Sequence, residues 1–172
     1  TKEIEDTKAK IETVTNAETE TYAKDDLETL HKNLTAALDE VKAQESKIIF
    51  RNYKKSIEML AAVKADAEKV EAVASQRKSD AKDKALSAQR DAEAAVDEAT
   101  ANLEKATAGK ETKAEIESYK ADIGDLEESL AGLQQSIDQE KYSDALNSAN
   151  IIKEKATSIS NNIQQAMDKA KK

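Results

Sequence analysis

From Tyr53 to Ala106 the chain runs through 54 residues without a proline or a glycine, and its apolar residues recur in steps of three and four. The stripe reads Tyr53, Ile57, Leu60, Val63, Ala67, Val70 and Ala74, then Ala81, Ala85, Ala88, Ala92, Ala95/Val96, Ala99, Leu103 and Ala106. That spacing keeps one face of an α-helix apolar. The first residue suited to end the helix is Gly109, which takes a left-handed cap at no steric cost. A helix over about 51–107 is on the order of 80 Å long at ~1.5 Å per residue. A compact domain of 172 residues cannot hold it. It must link two bundles or form a long coiled hairpin.

The composition agrees with an all-α fold. Leu, Ile, Val and Phe together number 30, and Ala alone another 30, in a chain with no Pro, no Cys, no Trp, three Gly and one His. The absence of Cys excludes disulfides and thiolate chemistry. So few turn formers and aromatic residues argue against a sheet. The low aliphatic content borders on that of disordered chains. However, the net charge is only −8, with both signs finely mixed, and the helical period persists almost everywhere. We therefore expect a helical protein with a thin core and a heavily charged surface. No stretch is long and apolar enough to span a membrane.

Helices are expected over 2–17 (Ile4, Ile11, Val14), 23–48 (Leu27, Leu30, Leu34, Ala37/Leu38, Val41), from Thr112 (Ile116, Tyr119, Ile123, Leu126, Leu130, Leu133, Ile137) and from Tyr142 to the end (Leu146, Ala149, Ile152, Ala156, Ile159, Ile163, Met167). Thr112-Lys113-Ala114-Glu115 has the capping-box pattern. Asn16 to Tyr22 reads as a turn or frayed end, and Gln139-Glu140-Lys141 as a break. Lys169, Lys171 and Lys172 suit the negative end of a helix dipole.

The chain also matches itself. Shifted by 89, Tyr53, Ile57, Val63, Ala67 and Val70 fall on Tyr142, Leu146, Ile152, Ala156 and Ile159. Shifted by 96, Asp26, Leu27, Leu30, Leu34 and Val41 fall on Asp122, Ile123, Leu126, Leu130 and Ile137. Shifted by 92, Ile4, Ile11 and Val14 fall on Val96, Leu103 and Ala106. Two of these offsets differ by seven, about two helical turns, which a hairpin tip can lose without rotating the seams. The expectation is two tandem three-helix bundles, 1–79 and 80–172, sharing the long helix in an elongated rod.

Three short motifs mark these units: Thr21-Tyr22-Ala23-Lys24-Asp25-Asp26-Leu27, Tyr53-Lys54-Lys55-Ser56-Ile57 and Lys141-Tyr142-Ser143-Asp144-Ala145-Leu146. In these the chain resembles an uncharacterised helical-hairpin domain of bacterial cell-envelope lipoproteins, here in two tandem copies. In that family a Tyr-Ala pair opens the middle helix and a Gly-Asp-Tyr-x-x-Ala-like signature opens the last. This chain departs from the signature: Arg51-Asn52 and Glu140-Lys141 replace Gly-Asp, and Ser56 replaces the Ala. The resemblance implies a fold and a compartment but no catalytic residues.

Candidate chemistry is sparse. His31, the only His, lies on the flank of the second helix seam and reads as a surface residue. Asp25/Asp26/Glu28 and Asp122/Asp125/Glu127/Glu128 are the densest carboxylate groups; a cation site is weighed there against acidic helix starts favoured by the dipole. The second reading is preferred because no calcium-loop pattern is present. Tyr22, Tyr53, Tyr119 and Tyr142 sit near helix starts and read as plugs of bundle ends. Gly124 and Gly132, eight apart, read as a face allowing close approach to the Ala-rich helix. No catalytic, cofactor or metal residues are assigned.

An acidic chain lacks the basic stripe that nucleic acid needs. With one Phe and an acidic surface it is also a poor match to membrane-surface helices. The chain opens Thr1-Lys2-Glu3, so a mature or trimmed form is expected, with a lipid anchor upstream of Thr1 as its link to the membrane. The expected function is a non-enzymatic spacer or interaction module of the cell envelope, periplasmic or outer-membrane-anchored, with protein partners. The alternative is a periplasmic carrier or chaperone that binds an apolar ligand or an unfolded client.

Overall fold

The computed structural model describes residues 2–107 and 113–170. Every regular element among them is an α-helix: α1 (Lys2–Val14), α2 (Ala17–Tyr22), α3 (Lys24–Glu45), α4 (Lys54–Thr107), α5 (Lys113–Asp138) and α6 (Tyr142–Ala170). The long helix is present as α4, 54 residues. Gly109, Thr112, Lys171 and Lys172 lie outside the described residues, so the expected Gly109 stop, the Thr112 cap and those two terminal lysines are not described. The chain divides into two compact units, Thr1–Ser79 and Asp80–Lys172.

The stretch Asn16 to Tyr22, expected as a turn, is instead mostly the short helix α2. The Asn16 side chain accepts hydrogen bonds from the backbone N–H groups of Glu18 (3.0 Å) and Thr19 (3.1 Å), and the Thr19 hydroxyl accepts one from the Asn16 N–H at 3.1 Å. This reciprocal capping box starts a new helix. It also stops α1 at Val14 rather than at residue 17. The Thr19 hydroxyl donates to the Val14 carbonyl, so a buried polar group at the junction is satisfied.

In unit 1, α1, α3 and the first part of α4 enclose the core. Ile11, Val14, Leu27, Leu30, Val63, Ala67, Val70 and Ala74 form one cluster, with Ala23 between α2 and α3. Ala37, Val41 and Leu60 form a second, flanked by Ile4, Leu34, Tyr53 and Met59. Burying a large aliphatic side chain of this kind stabilises by ~1.5–3 kcal/mol. Ion pairs brace the margins: Lys10–Glu71 at 3.0 Å, Arg77–Asp26 at 2.8 Å and Lys78–Glu18 at 3.1 Å. Exposed pairs of this type each contribute ~0–1 kcal/mol.

One seam position differs from expectation. Ile57 is 51% exposed, and Ser56 is buried in its place. With α4 starting at Lys54, the inward register is Ser56, Leu60, Val63 and Ala67, and Ile57 falls one position off it.

In unit 2 the buried residues are Ala85, Ala92, Val96, Ala99, Leu103 and Ala106 on α4, Ile123, Leu126, Leu133 and Ile137 on α5, and Tyr142, Ala145, Ala149, Ile152, Ala156, Ser160 and Ile163 on α6. Lys153 pairs with Asp91 at 2.8 Å, Asn102 donates to Ser160 at 2.8 Å and Gln89 to Gln134 at 2.8 Å. The helix α5 ends in a Schellman motif. The Lys141 N–H reaches the Ser136 carbonyl and the Glu140 N–H the Ile137 carbonyl, both at 2.9 Å, with Glu140 at φ 58°.

The two glycines of α5 do not mediate close approach. A Cβ built on either meets no other atom within 4 Å, and Gly132 is exposed. They are helix-interior glycines in open space, which carry only the entropic cost of glycine. Gly124→Ala and Gly132→Ala should therefore each raise stability by about 0.5–1 kcal/mol, read by chemical denaturation. The two tyrosines at the starts of α4 and α6 should respond unequally. Tyr142 is 4% exposed, whereas Tyr53 is half-buried. Tyr142→Ala should cost about 3–5 kcal/mol and Tyr53→Ala distinctly less in the same assay.

Candidate functional site

The sequence-derived candidates do not converge. His31 is exposed, its Nε2 3.3 Å from the Thr15 hydroxyl. Asp25 and Glu28 are exposed, and Asp26 is tied to Arg77. Asp122, Asp125, Glu127 and Glu128 are exposed on α5. Among the described residues no group of three or more His, Asp or Glu side chains is placed to hold a metal ion. Tyr22 and Tyr119 are half-buried and, like Tyr142, sit at bundle positions.

The part of the molecule that departs most from a quiet helical surface is the connection between α3 and α4. Ile48 is 94%, Ile49 67% and Phe50 89% exposed. Three adjacent large apolar side chains in water are unusual for a monomer's surface, in contrast to scattered single ones. Phe50, the chain's single Phe, has φ 59°. The left-handed region costs a residue with a Cβ roughly 1–2 kcal/mol. Such strain persists where the surroundings impose it, and it gathers at functional sites.

Gln44 imposes it. This side chain at the end of α3 is buried although polar. Its amide nitrogen donates to Glu40 Oε1 at 2.8 Å, and its oxygen accepts from Lys47 Nζ at 2.8 Å and from the Asn52 N–H at 3.1 Å. Arg51 Nε donates to the Lys47 carbonyl at 2.8 Å, and the Asn52 side chain accepts from the Lys54 N–H at 3.0 Å. Lys55 closes the set on Glu40 Oε2 at 2.8 Å. Both ends of the turn are thus pinned to one buried amide, and the apolar residues between them point outward.

Beside this turn lies an apolar cleft of about 320 Å³ lined by Ile4, Val41, Tyr53, Ser56, Ile57 and Leu60, with Glu3 and Glu45 also on its wall. The Ser56 hydroxyl is buried there without a hydrogen-bond partner. An unsatisfied buried hydroxyl costs on the order of 1–3 kcal/mol. At the position 89 residues later stands Ala145, fully buried, and no unpaired group arises.

The sequence carried a sign of this site that the periodicity reading passed over. Ile48-Ile49-Phe50 is a contiguous apolar run in a chain whose bulky residues otherwise come at helical spacing. The expected helix over 23–48 absorbed its first residue. In the structure α3 ends at Glu45, where the Lys47 N–H turns back to the Gln44 carbonyl at 3.3 Å.

The Glu40 carboxyl is held below its ordinary value of 4.5, first by the hydrogen bond from Lys55 and then by that from Gln44. A carboxylate with a lowered pKa in the folded state contributes stability that is complete above its unfolded pKa and lost as pH falls through the folded value. Below about pH 4.5 the wild type should therefore lose stability more steeply than Glu40→Gln. Thermal melts across an acid series read the difference, and parallel curves would show that the Glu40 network does not act this way.

No known protein family, curated protein or solved structure matches the chain.

Proposed function

We propose that the chain is a non-enzymatic spacer and protein-interaction module of the bacterial cell envelope, built from two tandem, duplicated three-helix units that share α4. One observation carries this reading: α4 supplies buried residues to both units, from Ser56 to Ala74 in the first and from Ala85 to Ala106 in the second. The helix runs 54 residues without a break from the residues of one core to those of the other. On this reading α4 is the spacer between what the two units bind.

Burial supports the duplication. Buried pairs recur at all three offsets: Leu60 with Ala149, Val63 with Ile152, Ala67 with Ala156 and Ala74 with Ile163; Leu27 with Ile123, Leu30 with Leu126, Ala37 with Leu133 and Val41 with Ile137; Thr7 with Ala99, Ile11 with Leu103 and Val14 with Ala106. The envelope location, periplasmic or outer-membrane-anchored, rests on the resemblance to lipoprotein helical hairpins, with a lipid anchor upstream of Thr1. The acidic composition supports protein partners over nucleic acid.

A second reading has its own observation. The unpartnered Ser56 hydroxyl in an apolar cleft suits a carrier whose ligand is apolar with one hydrogen-bonding group.

Small-angle scattering and ligand retention separate the two. The spacer reading expects a maximum dimension of about 80 Å or more, from ~1.5 Å per residue of α4, and purified protein that retains no fluorescent apolar probe. A compact particle overturns the shared-helix spacer. Stoichiometric probe retention, abolished by a bulky residue at Ser56, favours the carrier.

A further inference from the structure

We propose that the turn between α3 and α4 docks unit 1 onto an anionic phospholipid surface, with Ile48, Ile49 and Phe50 entering the headgroup layer and Lys47 and Arg51 contacting lipid phosphates. This stands apart from the spacer reading and needs no lipid anchor.

The argument is one of charge and shape. The chain carries a net −8, yet residues 46–57 contain four cations, Lys47, Arg51, Lys54 and Lys55, and no Asp or Glu. Lys54 and Lys55 sit on α4 with Glu58 (4.0 Å) and Glu40 (2.8 Å) as partners. Lys47 and Arg51 bracket the apolar triplet directly, and their hydrogen bonds go to the neutral oxygens of Gln44 and of the Lys47 backbone. Both cations thus make their hydrogen bonds to neutral oxygens, although Lys47 also feels the Glu40 carboxylate, and they stand beside three side chains that water solvates poorly.

A cation pair flanking exposed Ile and Phe is the pattern that partitions to anionic interfaces, where the apolar groups bury and the cations meet phosphate. The rest of the surface is acidic and is repelled by the same lipid, but screening confines that repulsion to about 8–10 Å. Attraction therefore belongs to the turn.

A protein groove fits the charge pattern less well. A helix docking in an apolar groove presents its anchors at helical spacing. Here three consecutive residues are exposed together, and cations stand on both sides of them.

The comparison within the chain points the same way. Eleven residues separate Val41 from Tyr53, whereas four separate the corresponding Ile137 from Tyr142. The shorter connection, Gln139-Glu140-Lys141, offers no apolar side chain and one cation. Unit 2 has the same kind of hairpin without the apolar tip.

The chain has no Trp, so Phe50→Trp places a single environment-sensitive fluorophore at the tip. We expect its emission to shift to the blue with phosphatidylglycerol–phosphatidylcholine vesicles and to stay unshifted with phosphatidylcholine alone. The combined Lys47→Gln and Arg51→Gln change should lower partitioning about 30-fold, at about 1 kcal/mol per cation. Flotation of the unsubstituted protein with the same vesicles gives a readout that does not depend on the Trp variant. Equal binding to both vesicle types overturns the proposal. So does the absence of a shift and of flotation with either, an outcome that assigns the tip to a protein partner.

Discussion

A chain with 30 large aliphatic and Phe residues among 172 can exclude water only along narrow seams. The helices fully bury only about one residue in four to six and leave the others to partial burial, charge and solvent. Alanine fills much of each seam, so the helices gain less per residue than Leu-rich packing provides. Length compensates. The helices α3, α5 and α6 run 22, 26 and 29 residues, and α4 runs 54. Strong helix formers keep them intact, and buried contacts accumulate along the seams rather than in one dense centre.

The same economy makes the ends of the seams distinctive. In unit 2 the end is closed: Tyr142 and Ala145 are buried, and a Schellman turn brings α5 into α6 with three residues. In unit 1 the corresponding end is open. Tyr53 is half-buried, Ser56 lies on the wall of a cleft with its hydroxyl buried and unpaired, and a longer connection holds three apolar side chains in water. The open end is no mere failure of packing, because Gln44 is buried at its base and makes three hydrogen bonds that fix the turn. A strained Phe50 and an unsatisfied Ser56 both lower stability, and they occur within one short stretch of chain.

Much of the architecture was legible in the sequence, for reasons that particular residues make plain. The long α4 followed from the absence of Pro and Gly between Tyr53 and Ala106, and the seams of α3, α5 and α6 followed from leucine and isoleucine at steps of three and four. What failed was set by local side-chain hydrogen bonding, which periodicity does not report. Asn16 and Thr19 built α2 where weak hydropathy suggested a turn. Gly124 and Gly132 share a face by arithmetic, but no neighbouring atom approaches that face. Gln44 gave no sign of its role, because its partners are a backbone N–H eight residues on and two charged side chains. The tip was visible as three adjacent apolar letters. Its exposure was not, since that depends on α3 ending at Glu45.

The thin seam is most extreme in the middle of α4, where Ala85 and Ala92 are the buried apolar residues between Ala74 and Val96. Amide hydrogen exchange along α4 tests the account most directly, since local opening is governed by buried contact as well as by helix propensity. Amides over 76–91 should exchange markedly faster than those over 60–74 and 96–106, although all three stretches lie in one helix without a breaker. Uniform protection along the whole of α4 would contradict the claim that buried seams, and not helix propensity alone, hold this molecule together.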